Sequence, residues 1–254
     1  MTGSLHGKVA LVTGASRGIG AAIARRLAKE GATVAIHHRA NPAKANAVLE
    51  EVRAAGGDGF LLQADIADLP SIAAMFAALD VALLERGGLR LDILVNNAGV
   101  GAAGSVETTI EADFDRVFAT NVKGLLFVSQ HALSRLADGG RIINLSSMVG
   151  HNAYPSAIAY AATKAAVDSI TLSMAAGLGP RGITVNAVAP GATDTDFIDF
   201  VMADPALVRS LEAQTALGAI GQAGDIATVV AFLASDAARW ITGERIRASG
   251  GMHL

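Results

Sequence analysis

The 254-residue chain contains no cysteine. That excludes disulfides, thiolate metal sites and a cysteine nucleophile, and it fits a reducing compartment, so a cytoplasmic location is expected. Aromatic residues make up only 4% of the chain, so its core must be aliphatic and alanine-rich. No uninterrupted apolar stretch approaches the ~20 residues of a membrane span, and Met1 to Lys8 lacks the apolar core of a signal peptide. Basic runs are absent and the net charge is −3, so neither nucleic acid nor an anionic membrane is an expected partner. The six histidines show no metal-ligand spacing, and no metal is expected. His37 and His38 are adjacent, so their side chains point to opposite faces if the backbone is extended.

What the chain does have begins with Ser147, twelve residues, Tyr160, three residues, Lys164. A tyrosine and a lysine four apart on a helix project from one face. An ammonium beside a phenol favours the phenolate and lowers its pKa from the usual ~10, which brings proton exchange toward neutral pH. A serine hydroxyl nearby could steady a carbonyl oxygen. Taken alone, the spacing fits equally a buried tyrosine and an unrelated surface lysine. Near the N-terminus, the apolar run Val9–Val12 leads into Thr13-Gly14-Ala15-Ser16-Arg17-Gly18-Ile19-Gly20, and an alanine- and leucine-rich helical stretch follows. Strand, glycine turn and helix form a phosphate cradle, because glycines permit close approach and the helix start offers free N–H groups. A purely structural glycine turn stays open.

Short apolar strands alternate with helical stretches along the whole chain. Strands are predicted near 8–12, 33–38, 59–64, 91–96, 140–146, 183–188 and 245–248. Helices are predicted near 18–30, 42–55, 69–87, 111–137 (with a bend), 156–178 and 224–235. Gly139-Gly140 and Gly179-Pro180 punctuate two helix ends. The alternation implies one domain over 1–254: an α/β, Rossmann-type doubly wound parallel sheet of seven strands, order 3-2-1-4-5-6-7, with helices on both faces. Thr193 to Leu217 breaks the alternation with acidic residues (Asp194, Asp196, Asp199) and a dense apolar cluster around Phe197 and Phe200. A short helix packed permanently on the domain is one reading; the family resemblance carried by the motifs below implies the other, a mobile substrate lid over 193–217, which would exclude water from the site.

The glycine loop, Asn96-Asn97-Ala98-Gly99, Asn121, Ser147, Tyr160, Lys164 and Pro190-Gly191 occur in this order at consistent separations. In these motifs the chain resembles the short-chain dehydrogenase/reductase family from about Lys8 to Gly251, and most of all its 3-oxoacyl-carrier-protein reductase-like ketoreductases. The resemblance implies an NADP(H)-dependent enzyme that reduces a ketone or keto ester to an alcohol. An alcohol, sugar or steroid dehydrogenase running oxidatively, or a silent nucleotide-binding member of the fold, are the alternatives. It implies Tyr160 as general acid, Ser147 as hydrogen-bond partner of the substrate oxygen, Lys164 on the nicotinamide ribose, and Asn121 at a helix break anchoring a water. Ser146 is the rival to Ser147, and the family spacing selects Ser147.

For the cofactor it implies contacts from Gly14, Ser16, Arg17, Gly18, Ile19 and Gly20, and from Asn97, Ala98 and Gly99 along the adenosine ribose. Asp65 and Ile66 would meet the adenine, with Asp65 accepting from its amino group. Pro190, Gly191 and the Thr193 backbone would reach the nicotinamide, and Thr195 the pyrophosphate. A carboxylate about 20 residues past the glycine loop normally takes the ribose hydroxyls of NAD. None occurs from Gly31 to Leu49. His38 occupies that place, with Arg39 beside it and Arg17 in the loop, which favours a 2′-phosphate and NADPH. Ordinary solvated arginines and dual specificity remain open.

The pocket would draw on Val100–Gly104, Met148–Tyr154 and the lid, which suits a small, weakly polar carbonyl compound. His151, Asn152 and Tyr154 would either orient a substrate or satisfy backbone groups. A carrier-protein substrate would need a basic patch, for which Lys123, Arg135, Arg141, Arg181 and Arg209 are candidates. A homotetramer is implied by resemblance only. Ala248-Ser249-Gly250-Gly251 and Gly177 depart from the family pattern away from the catalytic set.

Overall fold

The computed structural model describes residues 3–88 and 90–254; of the domain expected over 1–254, only Met1, Thr2 and Leu89 lie outside the described residues. Among the described residues, nine strands and nine α-helices follow in the order β1 Val9–Val12, α1 Gly18–Lys29, β2 Thr33–His38, α2 Pro42–Ala54, β3 Asp58–Gln63, α3 Leu69–Glu85, β4 Leu91–Asn96, α4 Glu111–Phe118, α5 Leu125–Ala132, β5 Leu136–Leu145, α6 Ile158–Leu178, β6 Thr184–Pro190, β7 Thr193–Asp194, α7 Asp199–Met202, α8 Pro205–Ala213, β8 Gly221–Gln222, α9 Ala223–Ala234 and β9 Arg245–Ala248. Seven strands form one parallel sheet in the order β3-β2-β1-β4-β5-β6-β9. This is the expected order, with β9 as the seventh strand.

Period-two alternation divides the core. Ala10 and Val12 of β1, and Val34 and Ile36 of β2, pack with Ile23 and Leu27 of α1, Val48 of α2 and Val230 of α9. Val9, Leu11 and Ala35 pack on the opposite face with Ile72 and Phe76 of α3, Val128 of α5 and Ala175 of α6. Strands buried on both faces read as continuous apolar runs, as parallel sheets require. The strand order reverses between β1 and β4, and ligands of such sheets bind at the carboxyl ends of the strands beside that reversal.

Two boundaries differ from expectation. The helix predicted over 111–137 is broken by a π-helical turn at Ala119–Gly124 and ends at Ala132. Its last predicted residues belong to β5, which starts at Leu136 rather than 140. Leu136 pairs with Leu91, and the register then slips so that Ile93 faces Arg141. Gly139, at φ 74°, sits inside that irregularity rather than at a helix end. An extra residue stretch in one strand is a bulge, and glycine supplies the left-handed conformation it needs.

Residues 193–217 form no single helix. β7 pairs in parallel with β8 as a separate two-stranded piece, Thr193 opposite Gly221. α8 is capped by Asp204, whose side chain accepts from the Ala206 amide. At its far end the segment is tied to the C-terminus: Leu217 N–H donates to Gly250 O, and His253 N–H to Gln214 O. Met252 is buried there, so the departure at Ala248–Gly251 leaves C-terminal packing intact.

Candidate active site

The site begins where β1 and β4 end. The Thr13 hydroxyl accepts from the amides of Asn97 and Ala98, each at 3.0 Å, and donates to Val95 O. Asn97 Nδ2 donates to Thr13 O at 2.8 Å and Gly14 O at 3.1 Å. These bonds hold the glycine turn against Asn97-Ala98-Gly99. The approach is too close for any side chain at two positions. A Cβ on Gly14, which has φ +64°, would lie 2.8 Å from Ala98 Cα, and one on Gly20 would lie 2.3 Å from Gly14 O. Arg17, extended, begins α1 without a capping side chain, so the first-turn amides around Gly18, Ile19 and Gly20 have no side-chain acceptor, as an anion cradle requires.

From there the contacts run on to the catalytic candidates. The Gly99 Cβ position is 3.3 Å from Asn121 Oδ1 and 3.7 Å from Lys164 Nζ. Asn121 is buried in the π-turn; its Oδ1 accepts from Val100 N at 2.8 Å, and its Nδ2 donates to Val100 O and Thr163 Oγ1. π-turns inside helices recur at functional sites, and this is the expected helix break. Lys164 is buried and its Nζ donates to Leu145 O at 2.7 Å. Burial pulls its ammonium down to about 8, against the opposing charge of Asp168. Nζ stands 5.6 Å from the centre of the Tyr160 ring. Ser147 starts a single turn at Met148–Gly150, while Ser146 Oγ is turned to Lys164 O.

The expected acidification of Tyr160 by Lys164 is corrected here. Burial pushes the phenol up to about 12, and hydrogen bonding with Ser147 opposes it. Desolvation of the phenolate outweighs an ammonium whose Nζ lies 5.6 Å from the ring centre. Phe197 covers this corner: its ring centre lies 5.8 Å from that of Tyr160, and its edge 3.0 Å from the Gly101 Cβ position.

The remaining predicted residues lie at or just after the carboxyl ends of β1, β2, β3 and β6. Thr195 lies 3.4 Å from the Gly18 Cβ position and donates to Thr193 O; Thr193 donates to Gly191 O. Gly191, after Pro190, packs on Ser249. Ile66 is buried, with its carbonyl against Gly124 of the π-turn. Asp65 Oδ1 accepts from the Ala67 amide and its other oxygen lies 3.9 Å from Arg39. Ser16 lies in the turn, half-buried. His38 is buried at the end of β2, and its Nδ1 has no protein partner; burial lowers its pKa.

Two participants were missed by sequence reasoning. Lys44, in the first turn of α2, meets Asp196 Oδ2 at 3.0 Å, while Arg17 meets the same oxygen at 3.1 Å. The two cations hold that carboxyl down at about 2, the Lys44 bond first. A lysine three residues past Asn41 carries no sequence signal of this; only the α2 cap, where Asn41 accepts from Lys44 N, places it. The other is His37, whose ring Nδ1 accepts from the Gly14 amide at 3.0 Å. His151, by contrast, leaves the pocket: its Nε2 is 2.9 Å from Asp168 Oδ2. Arg135, Arg141 and Arg181 each face a carboxylate, those of Asp80, Asp236 and Asp138. Among the described residues no group of His, Asp and Glu is arranged to hold a metal, and no helix is long and apolar enough to cross a membrane.

A family model described as enoyl-(acyl carrier protein) reductase matches residues 14–253. The chain is 47% identical over 249 residues to an uncharacterized oxidoreductase of Methylorubrum extorquens, covering 98% of both. It is 44% identical to the 3-oxoacyl-[acyl-carrier-protein] reductase FabG of Staphylococcus aureus, over 97% of this chain and 98% of that one. Among solved structures it is similar to the angucycline C-6 ketoreductase LanV with bound NADP, at a TM-score of 0.95 and 45% identity, over 100% of this chain and 98% of that one.

Proposed function

The chain belongs to the short-chain dehydrogenase/reductase family, a family of oxidoreductases, and on that premise we propose that it is an NADPH-dependent carbonyl reductase acting on a small ketone or keto ester. The observation that carries the proposal is the gathering of the catalytic candidates beside the glycine cradle: the Gly99 Cβ position lies 3.3 Å from Asn121 Oδ1 and 3.7 Å from Lys164 Nζ, and Nζ lies 5.6 Å from the centre of the Tyr160 ring. The residues fit the cofactor: a cradle that a Cβ would fill, uncapped amides at the start of α1, and a cationic corner already holding one carboxylate. Arg17, Arg39 and Lys44 would take the 2′-phosphate, with His38 Nδ1 beside the ribose. Asn97–Gly99, Asp65 and Ile66 would line the adenosine, Gly191 and Thr193 the nicotinamide, and Thr195 the pyrophosphate.

When bound, NADPH supplies the hydride. Ser147 and Tyr160 orient the carbonyl oxygen, and Tyr160 gives it a proton as negative charge develops there. A phenol held up at about 12 keeps that proton at neutral pH, which suits the reductive direction. Lys164 at about 8 stays largely charged at pH 7 and would hold the ribose. The Asn121 side chain is spent on Val100 and Thr163, so a water relay there would rest on its main-chain carbonyl. Residues 193–217 would act as the lid: they are anchored at Thr193 and Leu217, and Phe197 between them covers Tyr160.

Both the S. aureus reductase and the angucycline ketoreductase are named for reducing ketones. A small substrate is favoured over a carrier protein because three of the candidate basic residues are already facing acids. A homotetramer is part of the reading, supported by exposed Leu172 on α6 and by Trp240, 95% exposed. The description of the matching family model keeps one second reading, reduction of an enoyl thioester. Absorbance at 340 nm decides between them, with NADPH and then NADH over ketones, keto esters, 3-oxoacyl thioesters and enoyl thioesters. Turnover confined to enoyl thioesters would overturn the carbonyl reading, and equal kcat/KM with NADH would overturn the 2′-phosphate assignment.

A further inference from the structure

We propose that His37 is a positioning residue for the nucleotide turn, holding it in place through a single neutral tautomer and releasing it in acid. The inference rests on the nucleotide-binding reading of that turn. His37 lies near the end of β2, between the turn after β1 and the end of β3, and is only 2% exposed. Its ring is used on both sides. Gly14 N–H donates to Nδ1 at 3.0 Å, and Nε2 lies 3.1 Å from Ala64 O. A carbonyl only accepts and an amide N–H only donates, so Nε2 carries the hydrogen and Nδ1 is bare. The main chain of the same residue holds the next amide, Ala15 N–H to His37 O at 2.8 Å. One residue therefore fixes two successive amides of the cradle and ties them to β3.

A proton on Nδ1 would set N–H against N–H at Gly14, with no acceptor left. The groups around the ring do not make that easy. Burial, the largest influence, pushes the imidazole down to about 4, and the Ala64 carbonyl opposes it. His38, next on β2, disfavours the charged ring, and Asp65, beyond β3, favours it. Of the cations that flank it, Arg17 of the turn meets Asp196 and Arg39, after β2, lies 3.9 Å from Asp65. At neutral pH the clamp is closed, and it is the turn's conformation, not the catalytic pair, that acid would reach through it.

The test uses the full-length protein and NADP⁺, which is stable in acid, with binding read by calorimetry. His37→Asn places an amide oxygen near the position of Nδ1, so it keeps an acceptor for Gly14 and cannot titrate. His37→Leu fills much of the space with no acceptor. At pH 7.5, His37→Asn is expected to bind within about threefold of wild type, and His37→Leu at least about tenfold more weakly, or ~1.4 kcal/mol. Between pH 5 and 3.5, wild type is expected to lose affinity faster than His37→Asn, because titration of the 2′-phosphate is common to both. Amide exchange at Gly14 and Ala15 should speed up in wild type over the same range. His37→Leu binding like wild type, or wild type tracking His37→Asn in acid, would overturn the proposal. If His37→Leu does not fold, the acid comparison still decides. Wild type that binds no NADP⁺ at pH 7.5 would instead remove the nucleotide-site reading itself.

Discussion

Gly20→Ala and Gly177→Ala are the same chemical change in two helices, and the structure gives them opposite signs. Alanine in place of helical glycine is worth up to ~1 kcal/mol through the unfolded chain. At Gly177, in the last turn of α6, an added Cβ meets nothing within 4 Å, so that gain should appear undiminished. At Gly20 the Cβ would sit 2.3 Å from Gly14 O and 2.4 Å from Asn97 Nδ2. Those two atoms are hydrogen-bonded to each other, so the methyl must part them or move the turn. Overpacking costs ~1–3 kcal/mol, and a buried polar pair left unmade a further ~1–3 kcal/mol. Set against the helix gain, Gly20→Ala should lose roughly 2–4 kcal/mol. For a chain of this size that lowers Tm by about 5–15 °C, while Gly177→Ala should raise it by about 1–4 °C. Thermal unfolding followed by circular dichroism reads both, and calorimetry with NADP⁺ should show Gly20→Ala binding at least about tenfold more weakly. A Gly20→Ala protein as stable as wild type, with unchanged NADP⁺ affinity, would refute the close-packed cradle.

Three other outcomes follow from the same geometry. His37 is pulled down from 6.5 to about 4 in the folded protein, so between those values the unfolded chain binds a proton that the fold refuses; the stability this contributes is full above pH 6.5 and falls away toward pH 4, by roughly 3 kcal/mol, and urea midpoints should show His37→Asn losing less over that window. Lys164, drawn down to about 8 by burial, should lose its proton above that pH, so kcat/KM for ketone reduction by the free enzyme should decline there; a profile flat to pH 9.5 would count against its charged role. Lys44→Ala and Arg17→Ala should each lower kcat/KM with NADPH by about tenfold or more and leave NADH nearly unchanged, in a direct comparison of the two cofactors.

The strands, the glycine turn and the order of the sheet were legible because they depend on local pattern: apolar runs at Val9–Val12 and Leu91–Asn96, and glycines at fixed offsets from a helix start. The helix break at Asn121 was expected from the family resemblance, but not its π-helical form. No proline marks a break in residues 111–132, and the wider turn is settled by Asn121 reaching Val100. β5 began earlier than expected because Leu136-Ala137 has no β-branched residue, and only pairing with Leu91 makes it a strand. The two-residue strands β7 and β8 are too short to leave a pattern. The same division holds at the site. Tyr160, Lys164, Ser147 and the cradle glycines are spaced motifs. His37 and Lys44 matter because positions 14, 37 and 64, or 17, 44 and 196, meet in space. The direction of the Tyr160 shift was misjudged because helical spacing gives proximity to Lys164 but not burial, and burial is the larger influence.

The central claim is that Tyr160 gives the proton to the reduced carbonyl in a site that binds NADPH independently of it. Tyr160→Phe removes one oxygen and leaves the ring against Phe197. Its turnover at 340 nm with a ketone that wild type reduces, measured beside NADPH affinity by calorimetry, tests that claim most directly. The account expects turnover to fall by at least about a hundredfold with NADPH affinity within about threefold of wild type. Turnover like that of wild type, with the cofactor still bound, would contradict it.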